Sequence, residues 1–321
     1  MKKIVFMGTP AFSVPSLKTL VDSPDYEVVG VVTQPDREVG RKRKLTPSPV
    51  KEAALEAGLP VYQPEKIGQD QGVEELLDSG VDLLVTAAYG QFLPERLLRL
   101  PRYGAINLHA SLLPKYRGGA PVHYAIWKGE KQTGITIMRM VKKMDAGPIL
   151  TQATIAIESE TTVSELFDQL SELAADLLMD TLPDLFAGVL EEVEQDEELA
   201  TFSPNITREQ ERIDWHQTAQ VIHDQIRAFN AWPVAHTIWN DKRWKIWASR
   251  VVEGEETQQE PGTLIKLAKK PAAFWIACGQ GTVLAITEIQ PAGKKAMVIQ
   301  NFLNGGAGHF EVGDKFQSAC D

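Results

Sequence analysis

The sequence contains little cysteine and no long apolar run. Only 2 of its 321 residues are cysteines, which excludes a disulfide framework, and no Cys/His cluster offers a tetrahedral metal site. No stretch approaches the ~20 apolar residues that a membrane-spanning helix requires. We therefore expect a reduced, cytoplasmic protein that does not enter a membrane and requires no metal.

Positive charge is also scarce. The chain has 33 Lys+Arg against 43 Asp+Glu and a net charge of -10, whereas generic nucleic-acid binding depends on clustered Lys and Arg. The acidic excess is confined to residues 1–204, because residues 205–321 hold equal numbers of basic and acidic side chains. The length and the 43% hydrophobic content favour a globular protein with two domains.

Glycine is missing where a dinucleotide-binding protein would need it. The turn after the first predicted strand contains Gly8 alone. The Rossmann fingerprint has three glycines there, which let the backbone approach a pyrophosphate. A nicotinamide-dependent enzyme is therefore disfavoured.

Hydrophobic periodicity predicts the fold of the first domain, residues 1–190. Short apolar runs alternate with helical patterns, which predicts a doubly wound, mostly parallel α/β sheet of the Rossmann-like type. The apolar runs lie at 3–7, 28–32, 82–86, 105–109, 134–140 and 149–157. A long helix with an apolar stripe from Val163 to Leu185 closes this domain.

A different pattern follows. Residues 191–207 are rich in Asp and Glu and are predicted to be a linker. Residues 208–314 contain short alternating segments between turns with Gly or Pro, which predicts a small antiparallel, OB-like barrel. We expect Trp215, Trp232 and Trp247 to pack inside it.

The most informative segment is NLHASLLP at residues 107–114. Asn107 and His109 are two residues apart on a predicted strand, so both project to one face at the end where α/β sheets bind ligands. An amide donor for a developing oxyanion and an imidazole proton acceptor suit acyl transfer. The alternative is a strand-end histidine that only caps a loop.

A carboxylate is the second candidate. Asp145 lies in the loop 141–148 between two predicted strands, and an Asp before Gly is more often a turn residue than a catalytic one. If those strands join the sheet beside residues 105–109, Asp145 faces His109 and orients or charges it.

A basic run is the third candidate. Residues 37–44 read REVGRKRK, and such a run is usually a solvated surface. This one follows the predicted strand 28–32, so it emerges on the same sheet edge as Asn107 and His109. There it would meet the backbone of a polyanion beside the active site.

These motifs resemble those of the methionyl-tRNA formyltransferase family. The resemblance runs from Lys3 to beyond Lys295, essentially the whole chain. It is carried by FMGTP (6–10), TQPDR (33–37), LTPSPVK (45–51), AYG (88–90), INLHASLLP (106–114), DAG (145–147), RIDW (212–215), RAFN (227–230) and QPAGKKAM (290–297). The 107–114 signature with the later Asp is shared by folate-dependent formyltransferases in general and indicates formyl chemistry. The basic run and the second domain indicate the acceptor.

The resemblance implies a donor, an acceptor and site residues. It implies transfer of formyl from 10-formyltetrahydrofolate to initiator methionyl-tRNA, with the barrel as a tRNA-binding domain and the protein as a monomer. The implied catalytic residues are Asn107, His109 and Asp145, and the implied folate-binding residues are Ser111, Leu112, Leu113 and Pro114. The implied tRNA-binding residues are Arg37, Arg41, Lys42, Arg43 and Lys44, with Lys42 standing where the family commonly has glycine.

Two other functions stay open at this point. A formyltransferase that acts on a small amine, such as an amino sugar or a ribonucleotide, would share the signature at 107–114. A non-enzymatic RNA-binding module would use the barrel and leave Asn107, His109 and Asp145 without a purpose.

Overall fold

The computed structural model describes residues 1–40, 43–305 and 310–319. The predicted tRNA-binding residues Arg41 and Lys42 lie outside the described residues. The chain forms two compact units. The first comprises Met1–Pro121, Gln132–Ala156 and Phe167–Ser203, and the second comprises Val122–Lys131, Ile157–Leu166 and the chain from Pro204 onward.

The first unit is built on a mostly parallel sheet. Its strands are β1 (Lys2–Gly8), β2 (Tyr26–Val32), β5 (Val61–Tyr62), β6 (Leu83–Ala87), β7 (Ala105–His109), β8 (Gln132–Arg139) and β9 (Ile149–Ala156), and a separate hairpin consists of β3 (Arg37–Val39) and β4 (Lys44–Thr46). The strand order in the sheet is β5-β2-β1-β6-β7-β8-β9. β7 pairs in parallel with β6 but antiparallel with β8. The parallel part of the sheet therefore ends at the strand that carries Asn107 and His109.

Helices of the first unit are α1 (Val14–Asp22), α2 (Pro49–Glu56), α3 (Gln71–Asp78), α4 (Glu95–Leu98) and most of α6 (Val163–Ala187). Side chains fix where two of them begin. Ser48 accepts from the Lys51 amide ahead of α2, and Asp70 accepts from the Val73 amide ahead of α3. Every residue of the central strand β6 is buried, as expected for a parallel strand covered on both faces.

The second unit is a small antiparallel barrel. Its strands are β10 (His236–Trp239), β11 (Lys242–Val251), β12 (Leu264–Lys269), β13 (Ala272–Ala277), β14 (Val283–Gln290) and β15 (Met297–Val298), and its helices are α5 (Pro121–Trp127), α7 (Ala219–Ala228) and α8 (Ile299–Asn304). The sheet order is β10-β11-β14-β13-β12. Near the C-terminus Gln317 bridges to Ile238 and Lys315 bridges to Thr263. One segment thus reaches the residues of both edge strands and closes the sheet.

The predicted fold class is confirmed: a Rossmann-like, mostly parallel sheet is followed by antiparallel strands. One packing prediction was wrong. Trp215 is fully buried and its indole nitrogen donates to Thr237 Oγ1 at 3.0 Å, but Trp232 is 69% exposed. The reason is that Trp232 belongs to the turn between α7 and β10 and not to a barrel strand.

The acidic segment after α6 is not a free connection. Residues as far as Ser203 belong to the first unit, and Val193 exchanges backbone hydrogen bonds with Ile149 at 2.9 and 2.8 Å. The linker at 191–207 was predicted from its charge, which does not reveal that Gln195 within it is buried. The domain bounds 1–190 and 208–314 stay predictions.

Among the described residues, no helix combines the length and the apolarity that crossing a membrane requires.

Candidate active site

Asn107 and His109 project from one face of β7 toward the same end of the sheet. Thr86 on β6 is the register partner of Asn107, and Thr136 on β8 is the register partner of His109. Because β7 lies between two strands, its backbone is held on both sides and the two side chains keep a fixed spacing of about 7 Å. His109 is buried, while Asn107 is half-buried.

Thr86 decides which way the Asn107 amide points. Thr86 Oγ1 lies 2.7 Å from Asn107 Oδ1. Since a carbonyl oxygen can only accept, the hydroxyl donates and fixes the oxygen of the amide on that side. The Asn107 Nδ2 group has no partner among the described residues, so it remains available as a hydrogen-bond donor.

A backbone carbonyl orients the His109 ring. Nε2 of His109 lies 3.0 Å from the carbonyl oxygen of Tyr116. The carbonyl only accepts, so Nε2 carries the hydrogen and, in the neutral ring, Nδ1 carries the lone pair. Nδ1 is therefore the atom of His109 that can take up a proton.

Asp145 lies beside that nitrogen. Its Oδ2 atom is 3.8 Å from His109 Nδ1, with 13% and 6% of the respective side chains exposed. This distance is too long for a hydrogen bond but suits the attraction of a carboxylate to a protonated ring. The same oxygen accepts a hydrogen bond from the Gly118 amide at 2.8 Å. Asp145 is thus positioned by Gly118 and not by His109.

A buried amide that the sequence did not single out holds the Asp145 loop. Gln195 Nε2 donates to the carbonyl oxygens of Asp145 and Gly147, each at 2.8 Å. Gln195 Oε1 accepts from Arg117 Nε at 3.1 Å and from one of its terminal nitrogens at 2.8 Å. These bonds support the left-handed backbone of Asp145, whose φ is 51°. The only signal in the sequence was one uncharged Gln within an acidic run.

The four residues expected to bind folate have different environments. Ser111 and Leu113 are buried. The Ser111 hydroxyl donates to the Lys115 carbonyl at 2.7 Å, and the Leu113 amide donates to Thr136 Oγ1 at 3.1 Å. Leu112 and Pro114 are half-buried. Ser111 and Leu113 therefore stabilise the conformation of this loop from its buried side. Of the four residues, Leu112 and Pro114 have the accessible surface that a ligand could contact.

A cavity of about 330 Å³ lies nearby in the first unit. It is lined by Glu95, Leu98, Arg99, Tyr103, Gly104, Ala105, Arg139, Met140, Val141 and Lys142. Ala105 and Asn107 share a face of β7, and Met140 Sδ lies 3.2 Å from Thr86 Oγ1. The cavity thus includes Met140, which contacts the threonine that orients Asn107, and its volume falls within the usual range for ligand pockets.

Three residues of the basic run lie on the hairpin β3–β4. Arg37 pairs with Glu65 at 3.1 Å and Arg43 lies 3.8 Å from Glu38, all with exposed side chains. Lys44 is exposed as well. The hairpin follows β2, and β2 and β7 end at the same sheet edge, three strand spacings or about 14 Å apart.

Asp36 anchors the base of this hairpin. Both carboxylate oxygens accept from Lys51 Nζ, at 2.9 and 2.8 Å, and Oδ1 also accepts from Gln63 Nε2 at 2.7 Å. These hydrogen bonds, from Lys51 and then Gln63, hold the pKa of Asp36 below its usual value. Within the part of the chain that the structure describes, no group of three His, Cys, Asp or Glu side chains could hold a metal ion.

Comparison with known proteins decides the family. The formyl transferase model matches residues 1–182, and the model of the formyl transferase C-terminal domain matches residues 205–307. A methionyl-tRNA formyltransferase of Enterococcus faecalis is 59% identical over 95% of this chain and 96% of that protein. One of Bacillus subtilis is 52% identical over 98% of this chain and 97% of that protein. The chain belongs to the methionyl-tRNA formyltransferase family.

Solved structures of other formyltransferases share the fold. The N-formyltransferase from Helicobacter canadensis, in complex with folinic acid and dTDP-3-aminofucose, superimposes with a TM-score of 0.63. It is 19% identical, and the match covers 91% of this chain and 100% of that one. At this identity the likeness shows the fold alone.

Membership of the methionyl-tRNA formyltransferase family confirms the resemblance seen in the sequence. The roles of the individual residues stay predictions. The structure brings Asn107, His109 and Asp145 to one place, and it puts the described basic residues on a hairpin at the same edge of the sheet.

Replacing Gln195 by Leu should loosen the Asp145 loop in this methionyl-tRNA formyltransferase. The change leaves the carbonyls of Asp145 and Gly147 without their donor and removes one acceptor of the buried Arg117, which keeps its pair with Glu197 at 3.1 Å, so we expect a loss of about 1–3 kcal/mol in unfolding free energy. Glu194→Gln, at the exposed neighbouring position, should stay within about 0.5 kcal/mol of the parent. Urea unfolding of both variants measures this, and equal stabilities would contradict it.

Proposed function

We propose that this protein transfers a formyl group from 10-formyltetrahydrofolate to the α-amino nitrogen of methionine esterified to initiator tRNA. One observation carries the reaction class: Asn107, with a free amide donor, lies two residues before His109 on the same face of β7, and His109 Nδ1 and Asp145 Oδ2, both proton acceptors, are 3.8 Å apart. The acceptor substrate follows from the family to which the chain belongs.

The two acceptors suit an amine. Two acceptor atoms at this separation can both accept from a single nitrogen at about 2.9 Å from each. A free α-amine has a pKa near ~8, and the ester of aminoacyl-tRNA withdraws electrons and lowers it, so the reactive neutral amine is accessible at neutral pH. We propose that this nitrogen binds between His109 and Asp145.

The reaction then runs through a tetrahedral adduct. The amine nitrogen forms a bond to the formyl carbon, and Asn107 Nδ2 donates to the oxygen that becomes negative. His109 Nδ1 takes the proton that the nitrogen loses, and the Asp145 carboxylate stabilises the imidazolium. The bond from carbon to N10 of the folate breaks, N10 receives the proton, and formylmethionyl-tRNA and tetrahydrofolate leave.

A cavity at the start of β7 is a candidate site for the formyl donor. We propose that its ring system enters this cavity, because Ala105 in the cavity wall lies two residues before Asn107 on the same face of β7. Lys142 lines the cavity, is exposed, and has no partner among the described residues. Its ammonium could meet the carboxylates of the glutamyl tail. Leu112 and Pro114, in the loop after the other end of β7, are proposed to contact the part of the donor that reaches His109.

The hairpin β3–β4 is proposed to hold the acceptor end of the tRNA. Arg37, Arg43 and Lys44 are exposed there, and Arg41 and Lys42 continue the same run of sequence. A cationic arm at the edge where β7 ends would bring the aminoacyl ester toward Asn107. The protein is proposed to act as a monomer in the cytoplasm, where both substrates would be met.

Substitution of the catalytic candidates tests the mechanism. Asn107→Ala removes the oxyanion donor and Asp145→Asn removes the charge beside His109, so each should lower kcat by a factor of about 100 to 1,000. Asp78→Asn removes an exposed carboxylate of α3 and should leave kcat unchanged. The measurement is formylation by 10-formyltetrahydrofolate of charged tRNA, free methionine and an amino sugar in parallel. Formylation of the amino sugar in preference to the charged tRNA would contradict the proposed acceptor substrate.

Narrowing the cavity tests where the donor binds. Ala105→Val adds two methyl groups in the cavity wall and should raise the KM for 10-formyltetrahydrofolate about ten-fold, the effect of losing roughly 1.4 kcal/mol of binding. Ala156→Val makes the same chemical change on an exposed position of β9, where KM should not move. Thermal melting checks that both variants fold, and equal KM values for a folded Ala105→Val and the parent would place the donor elsewhere.

Salt dependence tests the hairpin. Arg43→Gln with Lys44→Gln removes two phosphate-directed charges, so the slope of log K for tRNA against log salt should flatten by about 0.7 to 0.9 for each phosphate that is no longer neutralised. Lys3→Gln with Lys18→Gln removes the same charge elsewhere on the first unit and should leave the slope near that of the parent. If the two double variants have the same salt slope, the hairpin has no specific role in binding tRNA.

A further inference from the structure

The loop between β7 and α5 contacts both proton acceptors of the candidate site. The carbonyl oxygen of Tyr116 lies 3.0 Å from His109 Nε2, and the amide of Gly118 donates to Asp145 Oδ2 at 2.8 Å. Arg117 is the residue between these two contacts in the sequence. The backbone on either side of Arg117 therefore helps to fix where His109 and Asp145 lie relative to each other.

The side chain of Arg117 is buried and holds two acceptors. Nε and one terminal nitrogen donate to Gln195 Oε1 at 3.1 and 2.8 Å. The other terminal nitrogen lies 3.1 Å from each carboxylate oxygen of Glu197. All three nitrogens of the guanidinium are thus used. A lysine has one nitrogen on a flexible stem, so it would not hold both acceptors in this fixed geometry.

Both acceptors of the guanidinium also bind the loop that carries Asp145. Gln195 Nε2 donates to two backbone carbonyls of that loop, and Glu197 Oε2 accepts from Lys143 Nζ at 2.6 Å. Arg117 is therefore the common partner of two separate connections to the loop. One connection reaches its backbone and the other reaches a side chain two residues before the carboxylate.

The two connections differ in strength. Lys143 is 61% exposed and Glu197 is 55% exposed, so solvent screens their attraction. Arg117 and Gln195 are buried, and the hydrogen bonds between them are shielded from water. The connection through Gln195 is therefore the stronger one, and the connection through Glu197 adds to it.

We propose that Arg117 is a positioning residue for formyl transfer, an inference that rests on the function proposed above. It sets the separation of 3.8 Å between His109 Nδ1 and Asp145 Oδ2. Its side chain is 1% exposed and has no surface for a substrate, so it acts only through these two residues. A misplacement of about 1 Å at a reacting group lowers a rate by a factor of about 100.

The alternative role for Arg117 is that of a buried arginine that only stabilises the first unit. Replacing such a residue would lower the melting temperature and leave kcat per folded molecule unchanged. Replacing a positioning residue lowers the kcat of the folded protein. The KM values should stay near those of the parent, because Arg117 touches no substrate and phosphate contacts supply much of the affinity for RNA.

The first test is the steady-state kinetics of Arg117→Lys in the full-length protein. We expect kcat per folded molecule to fall about 10- to 100-fold, with KM for 10-formyltetrahydrofolate and for charged tRNA within about two-fold of the parent. Arg227→Lys is the matched control, because Arg227 is also buried and pairs with Asp224 at 2.8 Å in the second unit. The control should keep the parent kcat. A folded Arg117→Lys with the parent kcat would overturn the proposal.

A double-mutant cycle tests whether Arg117 acts through Asp145. In a protein that already carries Asp145→Asn, the charge that Arg117 positions is gone, so Arg117→Lys should lower kcat less than about three-fold further. Single-turnover formylation of charged tRNA keeps these slow variants measurable. Loss of the same factor in both backgrounds would show that Arg117 acts independently of Asp145, which contradicts the proposal.

A second variant keeps the test valid if Arg117→Lys does not fold. Glu197 is exposed, and Glu197→Gln removes the charge that joins Arg117 to Lys143. We expect kcat to fall about three-fold with KM unchanged, the size of effect typical of an exposed ion pair. Glu198→Gln, at the exposed neighbouring position, should keep the parent kcat. Equal kcat values for Glu197→Gln and Glu198→Gln would count against the positioning role.

The two proposals fail in different ways. The proposed function fails if the parent protein does not formylate methionyl-tRNA. The positioning proposal fails if the parent formylates it and Arg117→Lys either keeps the parent kcat or loses the same factor with and without the carboxylate of Asp145.

Discussion

The buried side chain of Gln195 is the interaction on which the candidate site depends. Gln195 lies in the segment after α6. Its side-chain amide binds Arg117, in the loop that follows β7, and the backbone of the Asp145 loop, so it connects three stretches of the first unit. Asp145 has a left-handed backbone, which only a supporting network maintains at low cost. With its carbonyl held by Gln195 and its carboxylate by the Gly118 amide, Asp145 stays within 3.8 Å of His109. An acidic segment outside the sheet thus governs the geometry of the site.

Each catalytic candidate is oriented by a group that is not itself catalytic. Thr86 turns the Asn107 amide, and the Tyr116 carbonyl fixes which nitrogen of His109 bears a hydrogen. Backbone groups and a short hydroxyl side chain have few degrees of freedom, so they hold such side chains with little loss of entropy. The result is an unpaired donor on Asn107 and a pair of acceptors, His109 Nδ1 and Asp145 Oδ2, which suits the proposed transfer of a formyl group to an amine.

The proposed binding of RNA is compatible with an acidic protein, because the cations of the hairpin are clustered locally. The net charge of -10 arises within residues 1–204, yet the hairpin β3–β4 presents Arg37, Arg43 and Lys44 to solvent. Over more than a Debye length of about 8 Å, salt screens the distant carboxylates, so the nearest side chains decide what a phosphate encounters. Surrounding negative charge then discourages RNA from binding elsewhere.

The sequence by itself determined the two-domain order, the longer strands of both sheets, the shared face of Asn107 and His109, and the family. It did not predict the short strands β5 and β15 or the hairpin β3–β4. The predicted features follow from local periodicity and from motif spacing. Both are properties of the sequence that do not depend on which segments pack together in the folded protein. Only the tertiary structure decided that Gln195 is buried, that Trp232 is exposed, and that Arg212, His236 and Lys245 stand side by side. Each of these depends on which distant segments pair, and a one-residue change of register would send a side chain to the opposite face. Composition and charge could not reveal them, because the sequence of an acidic run or around a single tryptophan is the same whether or not another segment packs against it.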